Sequence, residues 1–275
     1  MYLPQLSPYA FVLGPLRVHW YSLFMALSIL AGGAYFVREA ERRRLGEDER
    51  VFDLALWALV GGIVGARLMF VLANDPLWVV RDPLQILRVY QGGLSWHGAL
   101  AGGLGGAALY ARRHPMRLNP LLDLAVPGVA FGYAVVRIGN IFNHEVLGRM
   151  TAFAFGRWPA QLVGAAIGAA LLVRYFARER SDLPAGDQWW SFLFYHTLLR
   201  AVFEESVRDN PLYLVHYVNP VLGVGFTTLT QLASPVVLAV VLPLWRRALV
   251  RRESRAGGAA AQGAEGLQPL PEHAR

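Results

Sequence analysis

The chain has 275 residues, of which 55% are hydrophobic and only 16% are charged. This composition excludes an ordinary soluble domain and favours a membrane protein. The net charge of +7 comes entirely from arginine, since the sequence contains no lysine, and the arginines lie mostly between apolar runs. That arrangement indicates membrane topology and not nucleic-acid binding. The absence of cysteine excludes disulfides, thiolate metal sites and a cysteine nucleophile.

A bilayer core about 30 Å thick requires about 20 mostly apolar residues per helix. Seven runs fit this length: residues 18–37, 51–74, 93–111, 121–142, 160–176, 189–203 and 226–249. The first run is expected to be retained, because it lacks the basic start and the small-residue cleavage pattern of a signal peptide. We therefore predict an all-α, polytopic membrane helix bundle of about seven transmembrane helices.

The organisation is predicted to be a single transmembrane catalytic domain, residues 1–250, followed by a disordered cytoplasmic tail, residues 251–275. The tail is rich in Gly, Ala, Gln and Pro and lacks helical apolar periodicity. Arginine clusters follow the first, third, fifth and seventh runs, so all of them fall on one side of the membrane. The positive-inside rule makes that side the cytoplasm, with the N-terminus outside and the C-terminus cytoplasmic.

Glycines at four-residue spacing predict close packing between helices, with no chemistry implied. The pairs are Gly61 and Gly65, Gly102 and Gly106, and Gly164 and Gly168.

Charged side chains inside the apolar runs are the most unusual feature of the sequence. Arg67 lies in the second run, Arg137 near the outer end of the fourth, and Arg200 with Glu204 near the outer end of the sixth. Each costs about 2.5–3.5 kcal/mol at mid-membrane, so it must be paired, face a wet cavity or bind an anion. Arg200 and Glu204, one helical turn apart, are a potential ion pair. For Arg67, snorkelling or a hydrogen bond within the bundle competes with a functional role.

Polar residues also collect where three runs approach the outer face. The glycine-rich segment 92–98 opens the third run and contains His97. Segment 137–149 is rich in polar side chains, and Arg137 and Asn140 share a helix face there. Tyr21 lies near the outer end of the first run, where it is either an aromatic anchor or a site residue.

At these residues the sequence resembles the prolipoprotein diacylglyceryl transferase family of bacteria, from about residue 15 to 245. The most specific matching element is Arg137-Ile-Gly-Asn140-x-x-Asn143-x-Glu145-x-x-Gly148. Three further elements also match: Gly92-Gly-Leu-Ser-Trp-His97-Gly98, Arg200-x-x-x-Glu204-x-x-x-Arg208-Asp209, and Tyr21 with Gly65-Ala66-Arg67.

The resemblance implies an enzyme that transfers the diacylglyceryl group of phosphatidylglycerol to the lipobox cysteine of prolipoproteins, at the outer face of the bacterial cytoplasmic membrane. It implies as partners phosphatidylglycerol, prolipoprotein signal peptides and the lipid bilayer, and neither nucleic acid, nor a metal, nor a cofactor. The implied catalytic residues are His97, Arg137, Arg200, Glu204 and Tyr21. The implied substrate-binding residues are Arg137, Asn140, Asn143, Glu145, Gly148, Arg208 and Arg67.

The residue types suit that reaction, because the planar fork of arginine matches phosphate oxygens. Arg137 and Arg200 are the candidates for binding the glycerol phosphate leaving group. The acceptor thiol has a pKa of about 8.5 in water and needs a base or a positive field. His97 is one candidate base, and nearby arginines that stabilise the thiolate directly are the alternative.

Supporting roles are expected for the neighbouring polar residues. Asn140 and Glu145 would orient the arginines or the lipid glycerol, Glu204 would fix Arg200, and Gly148 would permit a tight loop.

The sequence departs from the family pattern after this element. Residues 158–164 read Trp-Pro-Ala-Gln-Leu-Val-Gly, where the family usually carries His-Pro-x-Gln-Leu-Tyr-Glu, and Val136 and Ala99 replace glycines. The changes fit a divergent active enzyme, an altered lipid or acceptor preference, or an inactive lipid-binding paralogue. The retained charged residues favour activity.

Two other classes of protein are alternatives. A membrane transporter or channel would also bury charges, but it predicts repeated halves, and the polar elements each occur once. A metal-dependent hydrolase using His97, His144 and Glu145 lacks the two-histidine helical pair of a zinc protease.

Overall fold

A computed structural model describes residues 6–14, 16–74, 77, 81–86, 93–179, 181, 183–214 and 217–265. The chain divides into two compact units. The first unit consists of Met1–Leu30 and Ala125–Arg275, and the second of Ala31–Leu124. Each unit is described by itself.

The described residues are mostly helical. The helices are α1 Trp20–Arg42, α2 Asp48–Asn74, α3 Trp96–Arg113, α4 Leu118–Phe142, α5 Ala160–Glu179, α6 Asp187–Leu199, α7 Glu205–Val207 and α8 Leu229–Glu265. A 3₁₀ turn covers Pro83–Ile86, and a π-helical turn, Arg200–Glu204, connects α6 to α7. Every predicted span coincides with one of the longer helices, which confirms a helical architecture.

Among the described residues, five helical stretches are long and apolar enough to cross a membrane. They are Trp20–Arg42, Asp48–Asn74, Leu118–Phe142, Ala160–Glu179 and Leu229–Val250. The protein is therefore a multi-pass membrane protein. Helices α3 and α6 are not among these five, so the count of seven transmembrane helices stays a prediction.

Two short antiparallel strand pairs add to the predicted all-α architecture. Strand β1, Tyr9–Leu13, pairs with β2, Leu16–His19, and β3, Val218–Asn219, pairs with β4, Val224–Gly225. Turn chemistry explains the second pair: the Asn219 side chain accepts hydrogen bonds from two backbone N–H groups of the turn. Such two-residue strands give no alternating hydrophobic pattern, so the sequence did not predict them.

The last helix is longer than predicted. The seventh run was expected to end at residue 249, whereas α8 continues to Glu265. Residues 251–265 of the predicted disordered tail therefore have helical backbone. The remainder of that tail, residues 266–275, lies outside the described residues.

The second unit is built on close contact between α2 and α3, as the glycine spacing predicted. A Cβ atom added at Gly102 would lie 2.1 Å from the carbonyl oxygen of Gly61, and one added at Gly65 would lie 2.4 Å from that of Gly98. A Cβ at Gly106 would lie 2.3 Å from the Trp57 carbonyl oxygen. Only glycine permits these backbones to approach so closely.

In the first unit, polar side chains join three helices. Asp187, at the start of α6, is buried and pairs with Arg178 of α5 at 3.1 Å. It also accepts a hydrogen bond of 2.8 Å from the Trp245 indole N–H on α8. A buried carboxylate with two such partners fixes the three helices relative to one another.

Candidate active site

Arg137 lies on α4 in the first unit and is held by three polar side chains. Its Nη2 is 2.7 Å from Glu204 Oε1 and donates to the Tyr133 hydroxyl at 3.3 Å. Its Nη1 donates to Asn140 Oδ1 at 3.3 Å. Tyr133 precedes Arg137 by four residues and Asn140 follows it by three, so all three share one helix face, as predicted for Arg137 and Asn140. The guanidinium group is therefore fixed in one orientation.

The polar chain continues from Asn140 into the loop that follows α4. Asn140 Nδ2 donates to Glu145 Oε2 at 3.2 Å, and the Glu145 backbone N–H donates to the Asn140 carbonyl at 3.1 Å. The loop turns back through left-handed residues at His144 and Val146, with φ of 55° and 57°. Asn140 and Glu145 therefore extend the contacts of Arg137 into the loop, and their role in orienting the arginines or the lipid glycerol stays a prediction.

Tyr21 and Asn143 lie at the edges of this chain of contacts. Tyr21, on α1, interacts electrostatically with both Glu145 and Arg137. The Asn143 side-chain oxygen is buried and has no hydrogen-bond partner among the described residues. Tyr21 therefore belongs to the same neighbourhood as Arg137, and Asn143 offers a buried acceptor in the loop that follows α4.

The predicted pairing of Arg200 with Glu204 is wrong. In the π turn Arg200–Glu204, the backbone N–H of Glu205 donates to the carbonyl of Arg200, so one extra residue enters the turn. Glu205 then takes the position relative to Arg200 that Glu204 would have in an α-helix. Arg200 pairs with Glu205 at 3.1 Å, and Glu204 pairs instead with Arg137 and accepts a hydrogen bond from Tyr133.

Glu205 is the centre of a second cluster, which the sequence reasoning missed. Both Glu204 and Glu205 are 0% exposed. Glu205 receives hydrogen bonds from four side chains: Arg200 at 3.1 Å, Arg208 at 3.4 Å, Asn210 at 2.8 Å and Thr228 at 3.3 Å. Burial alone would raise the pKa of Glu205, but Arg200 and Arg208 outweigh it and hold the pKa below its usual value of 4.5.

Gly148 occupies the tight position that was predicted for it. A Cβ there would lie 2.1 Å from the Trp158 carbonyl oxygen. Gly148 forms a β-bridge with Arg208, and the Asp209 backbone N–H donates to the Leu147 carbonyl at 2.8 Å. The loop after α4 and the segment after the π turn are thereby joined backbone to backbone.

The divergent segment 158–164 packs into the same region. The Trp158 indole N–H donates to the Leu222 carbonyl at 2.7 Å, and Gln161 Nε2 donates to the Glu145 carbonyl at 2.9 Å. Gly164 directly faces Arg137 and Glu204.

Arg67 and His97 lie in the second unit. Arg67 is buried on α2, donates to the Gly93 carbonyl at 3.2 Å and lies over the Phe70 ring at 5.6 Å. His97 is half-buried in the first turn of α3, whose N-cap residue Ser95 accepts a hydrogen bond from the Gly98 N–H. The hydrogen bond of Arg67 to the Gly93 carbonyl agrees with one interpretation of its burial, and its functional role stays a prediction. Gly92 lies outside the described residues.

The electrostatics of the first-unit cluster favour an anionic ligand. Three guanidinium groups, those of Arg137, Arg200 and Arg208, meet two carboxylates. Arg200 Nη1 and Arg208 Nε are buried and have no hydrogen-bond partner among the described residues. Buried donors without a protein partner need one from a ligand or water, and an excess of positive charge selects an anion.

Comparison with known proteins shows the family of this chain. A family model for prolipoprotein diacylglyceryl transferase matches residues 8–246. The chain belongs to this family. A phosphatidylglycerol–prolipoprotein diacylglyceryl transferase of Thermoanaerobacter sp. (strain X514) is 53% identical over 249 residues, covering 90% of this chain and 96% of the relative. The transferase of the same name from Thermus thermophilus is 35% identical, with 86% and 96% covered. The transporter or channel alternative receives no support.

Proposed function

We propose that this protein transfers the diacylglyceryl group of phosphatidylglycerol to the lipobox cysteine of prolipoproteins. The observation that carries the proposal is the buried arginine cluster with its excess positive charge and its unpartnered N–H donors. The names of the relatives supply the donor lipid and the acceptor protein. The cluster supplies a reason why a phosphate-bearing lipid would bind there.

The reaction places growing negative charge at such a cluster. The cysteine thiol loses its proton, and its sulfur forms a bond to a glycerol carbon of the lipid. The bond between that carbon and the phosphate oxygen breaks, and its electron pair leaves with glycerol phosphate. The phosphodiester carries one negative charge and the departing phosphomonoester carries two, so fixed guanidinium groups stabilise the transition state more than the bound lipid.

Within this scheme Arg137, Arg200 and Arg208 are the phosphate-binding groups. Glu204 and Glu205 fix the guanidinium groups and so remove the need for reorganisation during the reaction. Asn140, Asn143, Glu145 and Tyr21 are proposed to bind the polar glycerol part of the lipid. Gly148 holds the two loop segments together behind them.

The acceptor thiol must be activated, and two kinds of side chain are candidates for this role. A thiol of pKa about 8.5 is only a few per cent thiolate at neutral pH. His97 is proposed as the general base, with stabilisation of the thiolate by arginine as the alternative.

The proposed location is the bacterial cytoplasmic membrane, with the site toward its outer face. The basis is the arginine asymmetry of the sequence, which assigns the loops near residues 143–158 and 204–225 to that face. The cluster around Glu205 lies next to the second of these loops. Lipid and signal peptides, which both reside in the bilayer, would reach the site without leaving it.

The deciding experiment is a transfer assay with purified protein in detergent. Phosphatidylglycerol and a lipobox peptide should yield a peptide carrying a thioether-linked diacylglyceryl group, detected by mass spectrometry. A peptide with serine in place of cysteine should remain unmodified. If the Thermus thermophilus relative modifies the peptide and this protein does not, the transferase assignment fails and an inactive lipid-binding paralogue is the remaining interpretation.

A further inference from the structure

The first turn of α8 begins with a capping box formed by Thr228 and Gln231. The Thr228 hydroxyl accepts a hydrogen bond of 3.3 Å from the Gln231 backbone N–H, and Gln231 Oε1 accepts one of 3.0 Å from the Thr228 backbone N–H. Two N–H groups at the helix start are thereby satisfied reciprocally. This function uses only acceptor atoms, so aspartate at the first position and glutamate at the second would also perform it.

The donor atoms of the same two side chains are directed at the candidate active site. The Thr228 hydroxyl donates to Glu205 Oε2 at 3.3 Å, and Gln231 Nε2 donates to the Ala201 carbonyl at 2.9 Å, inside the π turn. Thr228 is 1% exposed, so its bond to Glu205 is shielded from water. An ionised carboxylate at either position could not donate. The two side chains therefore satisfy the site with their donors and the helix with their acceptors.

The π turn receives support from outside its own helix. Its extra residue interrupts the regular ladder of backbone hydrogen bonds, and single π turns of this kind are frequent at functional sites. Glu205, which follows the turn, pairs with both Arg200 and Arg208. The bonds from α8 to the turn backbone and to Glu205 therefore fix the carboxylate that orients these two guanidinium groups.

We propose that Thr228 and Gln231 are positioning residues of the active site, through which the capping box of α8 holds the π turn and Glu205 in place for Arg200 and Arg208. Both act through the turn backbone and the Glu205 carboxylate, and not on the lipid itself. Arg200 Nη1 is buried and has no hydrogen-bond partner among the described residues. The orientation that Glu205 imposes on Arg200 therefore determines where this donor meets an anionic ligand.

Substitutions at Gln231 separate the cap from the support of the π turn. Gln231→Glu keeps the acceptor for the Thr228 N–H and loses the donor to Ala201, whereas Gln231→Met loses both. Both variants should lower kcat for the lipobox peptide by at least about tenfold, because the arginines lose their fixed placement. If Gln231 acted on α8 alone, Gln231→Glu would have the kcat of the wild type.

The matched control is Gln188→Met, at the opposite end of α6 from the π turn. It removes a similar bond, which runs from Gln188 Nε2 to the Tyr175 carbonyl at 3.2 Å. The folded control should keep kcat within about threefold of the wild type, because its bond does not support the arginine cluster.

Thr228 offers a second set of variants if those at Gln231 do not fold. Thr228→Ser keeps the donor and the acceptor and should keep kcat within about threefold of the wild type. Thr228→Val, of similar size but without the hydroxyl, should lower kcat by at least about tenfold. Thr228→Asp restores the cap but not the donor to Glu205, and it should be no more active than Thr228→Val.

Hydrogen exchange measured by mass spectrometry gives a readout that does not depend on turnover. In Gln231→Glu, the amides of segment 200–205 should exchange at least about tenfold faster than in the wild type, while the start of α8 keeps its protection. The kcat readout rests on the transferase activity proposed above, and an inactive wild-type protein would count against that function. Unchanged exchange of segment 200–205 overturns the positioning role whatever the activity. With an active wild type, undiminished kcat in Gln231→Glu or Thr228→Asp overturns it as well.

Discussion

Arg137 and Arg200 have different carboxylate partners, Glu204 and Glu205, so either arginine can be changed without releasing the other. Arg137→Ala and Arg200→Ala should each reduce turnover by at least about a hundredfold, because each removes a donor to the developing phosphate charge. Arg137→Lys should also be strongly impaired, since lysine keeps the charge but loses the planar fork that contacts Tyr133 and Asn140. Turnover of lipobox peptide measures the effect.

The matched control for these variants is Arg174→Ala. Arg174, on α5, donates to Ser191 and lies over the Tyr195 ring, away from the carboxylate pairs of the site. Its removal should leave turnover within about threefold of wild type. Near-normal turnover of Arg137→Ala or Arg200→Ala, with protein inserted in the membrane, removes that arginine from the mechanism.

His97 allows a separate prediction about thiol activation. If His97 is the general base, His97→Gln should lower kcat by about 10²–10⁴-fold and remove one limb of the pH–rate profile. His114→Gln, at the other end of α3 where the ring stacks on Tyr110, is the control and should leave both unchanged. Persisting activity with an unaltered pH profile in His97→Gln would assign thiolate stabilisation to the arginines.

Glu205 should contribute to stability as well as to activity. It is buried with two arginines, and removing one partner of a buried ion pair costs about 3–5 kcal/mol, so Glu205→Gln should unfold at a clearly lower temperature. Glu47→Gln, whose pair with Arg50 is exposed, should change the free energy of unfolding by no more than about 1 kcal/mol.

The free energy of unfolding should depend on pH through the ionisation of Glu205. Because the folded pKa of Glu205 is depressed, its stabilisation is present above the unfolded value of 4.5 and is lost as pH falls through the folded pKa. The unfolding temperatures of the wild type and of Glu205→Gln, measured between neutral and acid pH, test this prediction. Glu205→Gln should lack the pH-dependent stabilisation that the carboxylate provides. Equal acid sensitivity of the variant and the wild type would contradict the prediction.

At the scale of helices, the glycine contacts of the second unit give a matched pair of substitutions on α3. A Cβ at Gly102 would lie 2.1 Å from a backbone oxygen of α2, whereas one at Gly105 would meet nothing within 4 Å. Gly102→Ala should therefore lower the unfolding temperature in detergent. Gly105→Ala should be neutral or stabilising by about 0.5–1 kcal/mol, because alanine favours helix more than glycine does. Equal unfolding temperatures of Gly102→Ala and Gly105→Ala would show that α2 and α3 move apart at little cost to accept the added methyl group.

The period of the α-helix explains why the sequence predicted some contacts between helices and missed others. Glycine spacing predicted the packing of α2 on α3, because the period of an α-helix relates residues four apart. The period also led to the incorrect pairing of Arg200 with Glu204. No residue pattern in segment 200–205 signals the extra residue of the π turn, so Glu205 was overlooked although it stands beside a predicted site residue. The sequence indicated only packing for Gly164, and for the departure of segment 158–164 a divergent active enzyme, an altered lipid or acceptor preference, or an inactive lipid-binding paralogue.

For the molecule as a whole, apolar runs were sufficient to predict the helices, because lipid forces each spanning segment to satisfy its own backbone hydrogen bonds. They did not predict the short strand pairs or the extension of α8, since neither is an apolar run of spanning length. The first-unit cluster combines α1, α4, α5, the π turn and the following loop. Its Arg137 to Gly148 and Arg200 to Asp209 portions are each contiguous in the sequence and were recognised there, whereas Glu205 and the contacts between the portions were not.

Membrane orientation is the remaining prediction at this scale, and the absence of cysteine makes it directly measurable. Met150→Cys, exposed in the loop after α4, should react with an impermeant maleimide in intact cells, because the arginine distribution assigns that loop to the outer face. Ser181→Cys, after α5, should react only once the membrane is permeabilised. Since the wild-type chain gives no background labelling, the reverse pattern would place the arginine clusters outside and the candidate site on the cytoplasmic face. That result would be incompatible with acceptors that are secreted proteins, even if the purified enzyme remained active.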